Sequence, residues 1–308
     1  MKQDSEKKEK QPKKKRSWIS TVILVLILLL GIGIMAYPTV SDWWNSMHMT
    51  RAIANYVETV ESMTPEEKEA MLEAARAYNR KLPLGTHFSL TDAELEEYES
   101  LLDLTGNGIM GYVQIPSISV NLPIYHTVEE RVLQIAVGHI PGSSLPVGGL
   151  PSHAVMTGHR GLPSARLFTD LDKLTEGDIF TITVLDEVFT YMVDQIRIVE
   201  PEETDELGIV DGMDYCTLVT CTPYGVNSHR MLIRGFRIDN IVEAAPIQAD
   251  AVKLPVYLVV PAIAIPMLFV LLFVLLLFYR RKPKHITLED VHTLSQTQTD
   301  GTEESKKE

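Results

Sequence analysis

One ordered set of side chains in this sequence could carry acyl transfer: a thiol, an imidazole and a guanidinium. Cys221 closes the apolar run Thr217-Leu-Val-Thr-Cys221 and is followed by the turn-forming Thr222-Pro-Tyr-Gly225. A thiol at a strand end is held by the sheet yet open on the loop side, and as a thiolate it attacks carbonyl carbon. Taken alone, it equally fits a buried free cysteine acting as a small apolar residue, the reading that suits Cys216. His159 stands where the strand-like Val155-Met-Thr runs into Gly158 and a Gly/Pro loop. Imidazole there is placed to carry protons, with His126, His139, His153 and His229 as competitors. Arg230 follows Cys221 by nine positions. If the segments flanking the intervening loop are antiparallel neighbours, thiol and guanidinium come from adjacent strand ends. Arg234 would share that face but lie about 13 Å further along, and Arg237 has the opposite parity. Any one of these arginines also reads as plain surface charge.

Other chemistries find less support. No CxxC or HExxH spacing points to a metal, no GxSxG elbow to a serine hydrolase, and no glycine loop to a phosphate. No cofactor is implied. The formal net charge of -13 makes nucleic acid a poor partner. The two cysteines, Cys216 and Cys221, are five apart. On one strand they point to opposite faces about 16 Å apart, too far for the roughly 7 Å that a bridge allows. Free thiols are expected.

The elements that must position these residues begin with two apolar runs. Trp18 to Tyr37 carries no charge, and about 20 such residues cross a bilayer as a helix. An uncleaved signal anchor fits better than a cleaved signal peptide, because Ala36-Tyr37-Pro38 is a poor cleavage site. Leu254 to Tyr279 is a second uncharged run, with Pro255, Pro261 and Pro266 in its first half. Lys13 to Arg16 precede the first run, and Arg280, Arg281, Lys282 and Lys284 follow the second. The positive-inside rule then puts both termini in the cytoplasm and the middle outside, with Trp43, Trp44 and Tyr257 near the outer interface. The segments expected are a basic tail (1–17), a transmembrane anchor (18–37), an external helical region (38–110), a β domain (111–240), a linker (241–253), a second transmembrane helix (254–279) and a cytoplasmic tail (280–308).

Within the middle, Ser41 to Lys81 has helical periodicity broken at Met63-Thr-Pro65, where Thr64, Pro65 and Glu67 predict a capping box. Residues 83–92 read as a loop and 93–102 as an acidic helix. From Gly111 the texture turns to β, with strands predicted at 111–116, 119–125, 153–158, 179–184, 188–193, 215–220 and 231–238. Seven or eight short strands in this length predict a mainly β fold, a closed barrel or sandwich.

Thr157-Gly-His159-Arg, Thr217-Leu-Val-Thr-Cys221-Thr-Pro-Tyr and Asn227-Ser-His-Arg230, in this order and spacing, resemble the sortase signature. Over Gly111 to Ile238 the resemblance is to class C, the pilin-polymerising sortases of Gram-positive bacteria. It implies an eight-stranded β-barrel with N-terminal helices and transpeptidation at an LPXTG-like sorting signal. Cys221 would be the nucleophile, His159 the general acid and base, and Arg230 the oxyanion stabiliser. The implied partners are pilin or surface proteins bearing that signal, with a pilin lysine or a peptidoglycan cross-bridge as amine acceptor. Class C enzymes carry a lid with an Asp-Pro-aromatic motif. Here the loop reads Thr86-His87-Phe88, so only the aromatic is kept, and the missing carboxylate predicts a more reactive basal thiol under a lid anchored by Phe88.

Overall fold

The computed structural model describes residues 16–240 and Leu268. Chain contacts separate Met1–Ile247 from Gln248–Glu308, and of the second unit only Leu268 is described, as helical. The expected linker, second transmembrane helix and C-terminal tail otherwise lie outside the described residues, as does most of the N-terminal tail.

Helix α1 (Arg16–Ser62) is continuous. The helical periodicity read from Ser41 joins the apolar run without a break, and Pro38 lies inside α1 without ending it. Its first part, from Ile23, is long and apolar enough to cross a membrane, and its apolar window is not buried by the domain. The later turns instead bury Met49, Ile53, Tyr56 and Val60 against the core. Helix α2 (Pro65–Asn79) starts at the predicted capping box, with Thr64 and Glu67 bonding each other's backbone. Helix α3 (Asp92–Ser100) starts at a second such box, Thr91 with Glu94.

Eight strands close a barrel in the order β1-β2-β3-β4-β7-β8-β6-β5. They are β1 (Ile109–Ile115), β2 (Val120–His126), β3 (Val137–His139), β4 (Ser152–Thr157), β5 (Ile179–Val184), β6 (Glu187–Val199), β7 (Asp214–Thr222) and β8 (His229–Ile238). The mainly β barrel with N-terminal helices is thus as expected, with two additions. β3 has three residues, too few to show alternation, and it forms because β2 and β4 flank it on both sides. β6 runs past the predicted end because a bulge at Val193/Gln195 restores pairing with β8 after the polar Asp194, the local device bulges provide.

The barrel interior takes Cys216, Leu218, Met231 and Ile233 together with Phe180 and Tyr191. Alternation sends Val219 and Leu232 outward, where they form a second cluster with Val155 and Leu207.

Two sets of bonds fix α1 to the barrel. The buried Tyr56 hydroxyl donates to Met110 O at 3.0 Å and accepts from Leu185 N at 2.7 Å. Nearer the apolar segment, Asn45 Nδ2 donates to Ser164 O at 2.9 Å and Asp42 Oδ1 accepts from Arg166 N at 2.8 Å. Tyr56→Phe leaves the Leu185 N–H and the Met110 carbonyl unpaired in the core. Denaturant titration is expected to show a loss of about 1–3 kcal/mol for it.

Candidate active site

β7 presents its two cysteines to different worlds. Cys216 is buried, Cys221 is partly exposed, and both are free. Burial, with Asp214 adding, pushes the Cys216 thiol well above its ordinary range, so it stays protonated and inert. Cys221 has the parity of Val219 and so belongs to the outer face.

On one side of β7, β8 runs antiparallel and Cys221 pairs directly with Arg230. The nine-residue offset thus makes the two cross-strand neighbours. The Arg230 guanidinium folds back on the turn, with Nη1 donating to Asn227 O at 3.3 Å and His229 O at 3.2 Å. Arg234, one repeat along, is held by Asp194 at 2.8 Å and lies over the Tyr215 ring. Arg237 donates to Thr190 O and lies over Phe189. Both have structural employment away from the strand end.

On the other side, β4 runs parallel to β7, and Thr157 is paired with Val219. The chain stays alongside β7 beyond that pair: Gly158 N donates to Val219 O at 3.1 Å, and Thr220 Oγ1 donates to Gly158 O at 2.8 Å. His159 and Cys221 each lie two residues past the Thr157–Val219 pair, so they share a row. Glycine is required between β4 and His159, since a Cβ on Gly158 would come within 2.8 Å of the Phe168 ring. Phe168 N also donates to His159 O at 3.1 Å, fixing the backbone of the histidine.

The competing histidines are occupied. His139 is bonded to the Tyr98 hydroxyl and Ser144 O, and His153 to Gly208 O and Thr217 Oγ1. His126 bonds Gly108 O and Leu101 O, while His229 faces Glu200 at 3.2 Å and Ser228. Of the five, His159 alone has a buried ring nitrogen, Nε2, without a hydrogen-bond partner. The row of strand ends therefore reads imidazole, thiol, guanidinium. Such a row can supply a nucleophile, a proton carrier and a donor for developing negative charge.

The two buried imidazoles make acid stability testable. Burial pushes His139 down to about 3 and His153 to about 4, so both are neutral when folded and take a proton on unfolding below roughly pH 6.5. Stability is thus complete above that pH and lost as pH falls towards the folded values, at about 1.4 kcal/mol per pH unit for each histidine. Urea midpoints at pH 7, 6 and 5 are expected to fall in that order, and His153→Asn to flatten the slope.

The predicted lid loop crosses the outer cluster. Phe88 packs with Ile140 and Val199 around Val155, Leu207, Val219 and Leu232. Gly85 pairs with Ile209 through two backbone bonds of 2.9 and 2.8 Å. The loop also presses on Gly142, whose φ is +87° and where a Cβ would lie 1.9 Å from His87 O. Phe88 thereby packs against the cluster that includes Val219, two residues before Cys221 on its face. Sequence reasoning missed one neighbour of the site: Glu130, whose Oε2 is 3.6 Å from His159 Nε2. It sits on the four-residue helix α4 (Glu130–Leu133), too short for periodicity to reveal, though the spacing of Glu130 and Gln134 is helical. Among the described residues no group of three or more His, Cys, Asp or Glu is arranged to hold a metal ion.

Comparison with known proteins agrees with this fold. A family profile described as Sortase domain matches residues 113–238. The crystal structure of sortase C1 from Streptococcus agalactiae is 49% identical and superposes with a TM-score of 0.61, over 62% of this chain and 99% of that one. Sortase C of Streptococcus pneumoniae is 45% identical, with a TM-score of 0.56 over 61% of this chain and 96% of that one. Among curated proteins, a sortase A of Streptococcus agalactiae is 30% identical over 117 residues, 37% of this chain. That match spans about half, 47%, of the curated relative's length. Barrel, row of strand ends and near-complete coverage of a chain 49% identical lead to one conclusion: this protein belongs to the sortase family.

Proposed function

We propose that the protein is a cysteine transpeptidase that cuts an LPXTG-like sorting signal between Thr and Gly and joins the new acyl end to an amine. The observation that carries this reading is the placement of Cys221 between His159 and Arg230 at adjoining strand ends. The Cys221 thiolate adds to the Thr carbonyl carbon, and the oxyanion that forms accepts hydrogen bonds from Arg230. Collapse breaks the Thr–Gly bond, His159 gives its proton to the leaving amine, and a thioester to Cys221 remains. An incoming amine loses a proton to His159, attacks the thioester and releases the thiolate.

We assign the acceptor to a pilin lysine, making the protein a class C sortase. Two sortases C at 49% and 45% identity support that assignment, and the second of them is described in terms of its pilin substrate specificity. The topology that goes with it is two-pass: residues 38–253 outside, both termini cytoplasmic, and the span in α1 matched by 254–279. A peptidoglycan cross-bridge is the second acceptor to weigh, because the lid motif departs from class C at Thr86 and His87. Incubation of the full chain with a sorting-signal protein and either a pilin lysine donor or a cross-bridge peptide separates the two. Mass spectrometry of the acyl group trapped on Cys221 tests the reading itself, and absence of an adduct with the signal protein would refute it.

The seat of Phe88 supports a lid held by its ring and by the Gly85–Ile209 bridge, without a carboxylate. Phe88→Ala is expected to speed labelling of Cys221 by a thiol reagent several-fold, about the effect of removing one partly buried aromatic anchor. Equal rates before and after would remove the lid from the account.

A further inference from the structure

Glu130 is joined to His159 by more than proximity. His159 Nε2 is shielded from solvent and lacks a hydrogen-bond partner, an arrangement that costs free energy unless a nearby acceptor takes up its proton. The Glu130 carboxylate stands 3.6 Å away, one small side-chain rotation from bonding distance. Its other oxygen accepts a hydrogen bond from Gln134 Nε2, which fixes the carboxylate from behind. That bond and the imidazole together hold the Glu130 carboxyl below its ordinary range. The neighbouring cation does not compete, because Arg131 is paired with Glu129. Arg160, next to His159, is likewise engaged by Asp172.

The platform under Glu130 is firm. Leu133 N and Gln134 N donate to Glu129 O and Glu130 O at 3.0 Å each, closing the turn of α4. β3 passes directly beneath, so close that a Cβ on Gly138 would meet Thr127 O at 2.3 Å and Leu133 Cδ2 at 3.1 Å. A carboxylate on such a base can orient an imidazole whose buried Nε2 has no hydrogen-bond partner.

We propose that Glu130 is a positioning residue for His159, supported by Gln134. Its carboxylate accepts a hydrogen bond from Nε2–H, fixes that tautomer, and leaves Nδ1 to exchange protons with the Cys221 thiol and with the leaving and incoming amines. When His159 takes a proton, the Glu130 charge stabilises the imidazolium. This assignment rests on the reading of His159 as proton carrier.

The test uses the full chain in detergent micelles, an LPXTG-containing peptide and an amine acceptor. Glu130→Gln is expected to lower kcat about tenfold, less than for a buried carboxylate partner because Glu130 is exposed. KM should stay within about twofold, as for loss of a group acting only on the reacting atoms. Glu130→Asp should recover most of the rate. In a His159→Ala background, Glu130→Gln should change nothing further. Nitrogen-15 spectra of labelled histidine should place the His159 proton on Nε2 in the parent protein and show its loss from that hydrogen bond in Glu130→Gln. An unchanged kcat, an equal loss in the His159→Ala background, or the proton on Nδ1 in the parent would each overturn the assignment. If the parent protein turned over no peptide, the transpeptidase reading would fall, and the spectra would still decide the Glu130–His159 contact.

Discussion

Cys221→Ala is expected to abolish acyl transfer, a loss of at least about 10⁴ in kcat/KM, because no other group can form the covalent intermediate. The same replacement at Cys216 should leave turnover within a few-fold. The contrast follows from strand parity. Both thiols lie on β7, but Cys216 packs inside the barrel with Leu218 and Ile233, and burial keeps it protonated. Cys221 ends the strand on the outer face, opposite Arg230. Removing Cys216 deletes one buried sulfur, so the change should appear in the unfolding midpoint, at about 1 kcal/mol, rather than in catalysis. Alkylation followed by peptide mass spectrometry gives an independent reading: Cys221 labels in the folded protein, and Cys216 labels only in denaturant. Labelling of both at similar rates, or activity retained without Cys221, would end the acyl-enzyme account.

Arg230→Ala should cost about 10²- to 10³-fold in kcat/KM, the usual penalty for losing a donor to a developing oxyanion. Arg230→Lys should recover only part, since an ammonium keeps the charge but not the planar fork of donors. The guanidinium bonds only its own turn, at Asn227 O and His229 O, so stability should barely change. Arg234→Ala is the informative contrast. It breaks the pair with Asp194 and the contact over Tyr215, and its effect should fall mainly on the unfolding midpoint. Equal kinetic losses at the two arginines would mean that the guanidinium at the strand end has no special task.

Much of this site was legible in the sequence because short-range rules govern it. The parity of Cys216 and Cys221 needs only a period of two, and the spacing of Cys221 and Arg230 only a hairpin-like return. The capping box at Thr64 is likewise local chemistry. What was hidden depends on contacts between distant segments. His159 was singled out in the sequence by its motif alone; the physical ground for preferring it to His139 and His153 came with the structure, where Tyr98, Ser144, Gly208 and Thr217 occupy the other rings. β3 exists through its neighbours rather than its composition. Glu130 comes near His159 because α4 is seated on β3, a packing that no periodicity announces. The seat of Phe88 was open for the same reason, since its partners span Ile140 to Leu232.

The continuity of α1 has a mechanical consequence. Asp42 and Asn45, which grip the loop at Ser164 and Arg166, begin five residues beyond Tyr37, about 7.5 Å along a helix axis. The loop they hold is the one that leaves His159. A flexible tether would let a tethered enzyme sweep a hemisphere in search of its substrate. With the apolar part of α1 in a membrane, a stiff post bolted to that loop would set a fixed working height instead, and any tilt of the post would swing imidazole, thiol and guanidinium together as one head.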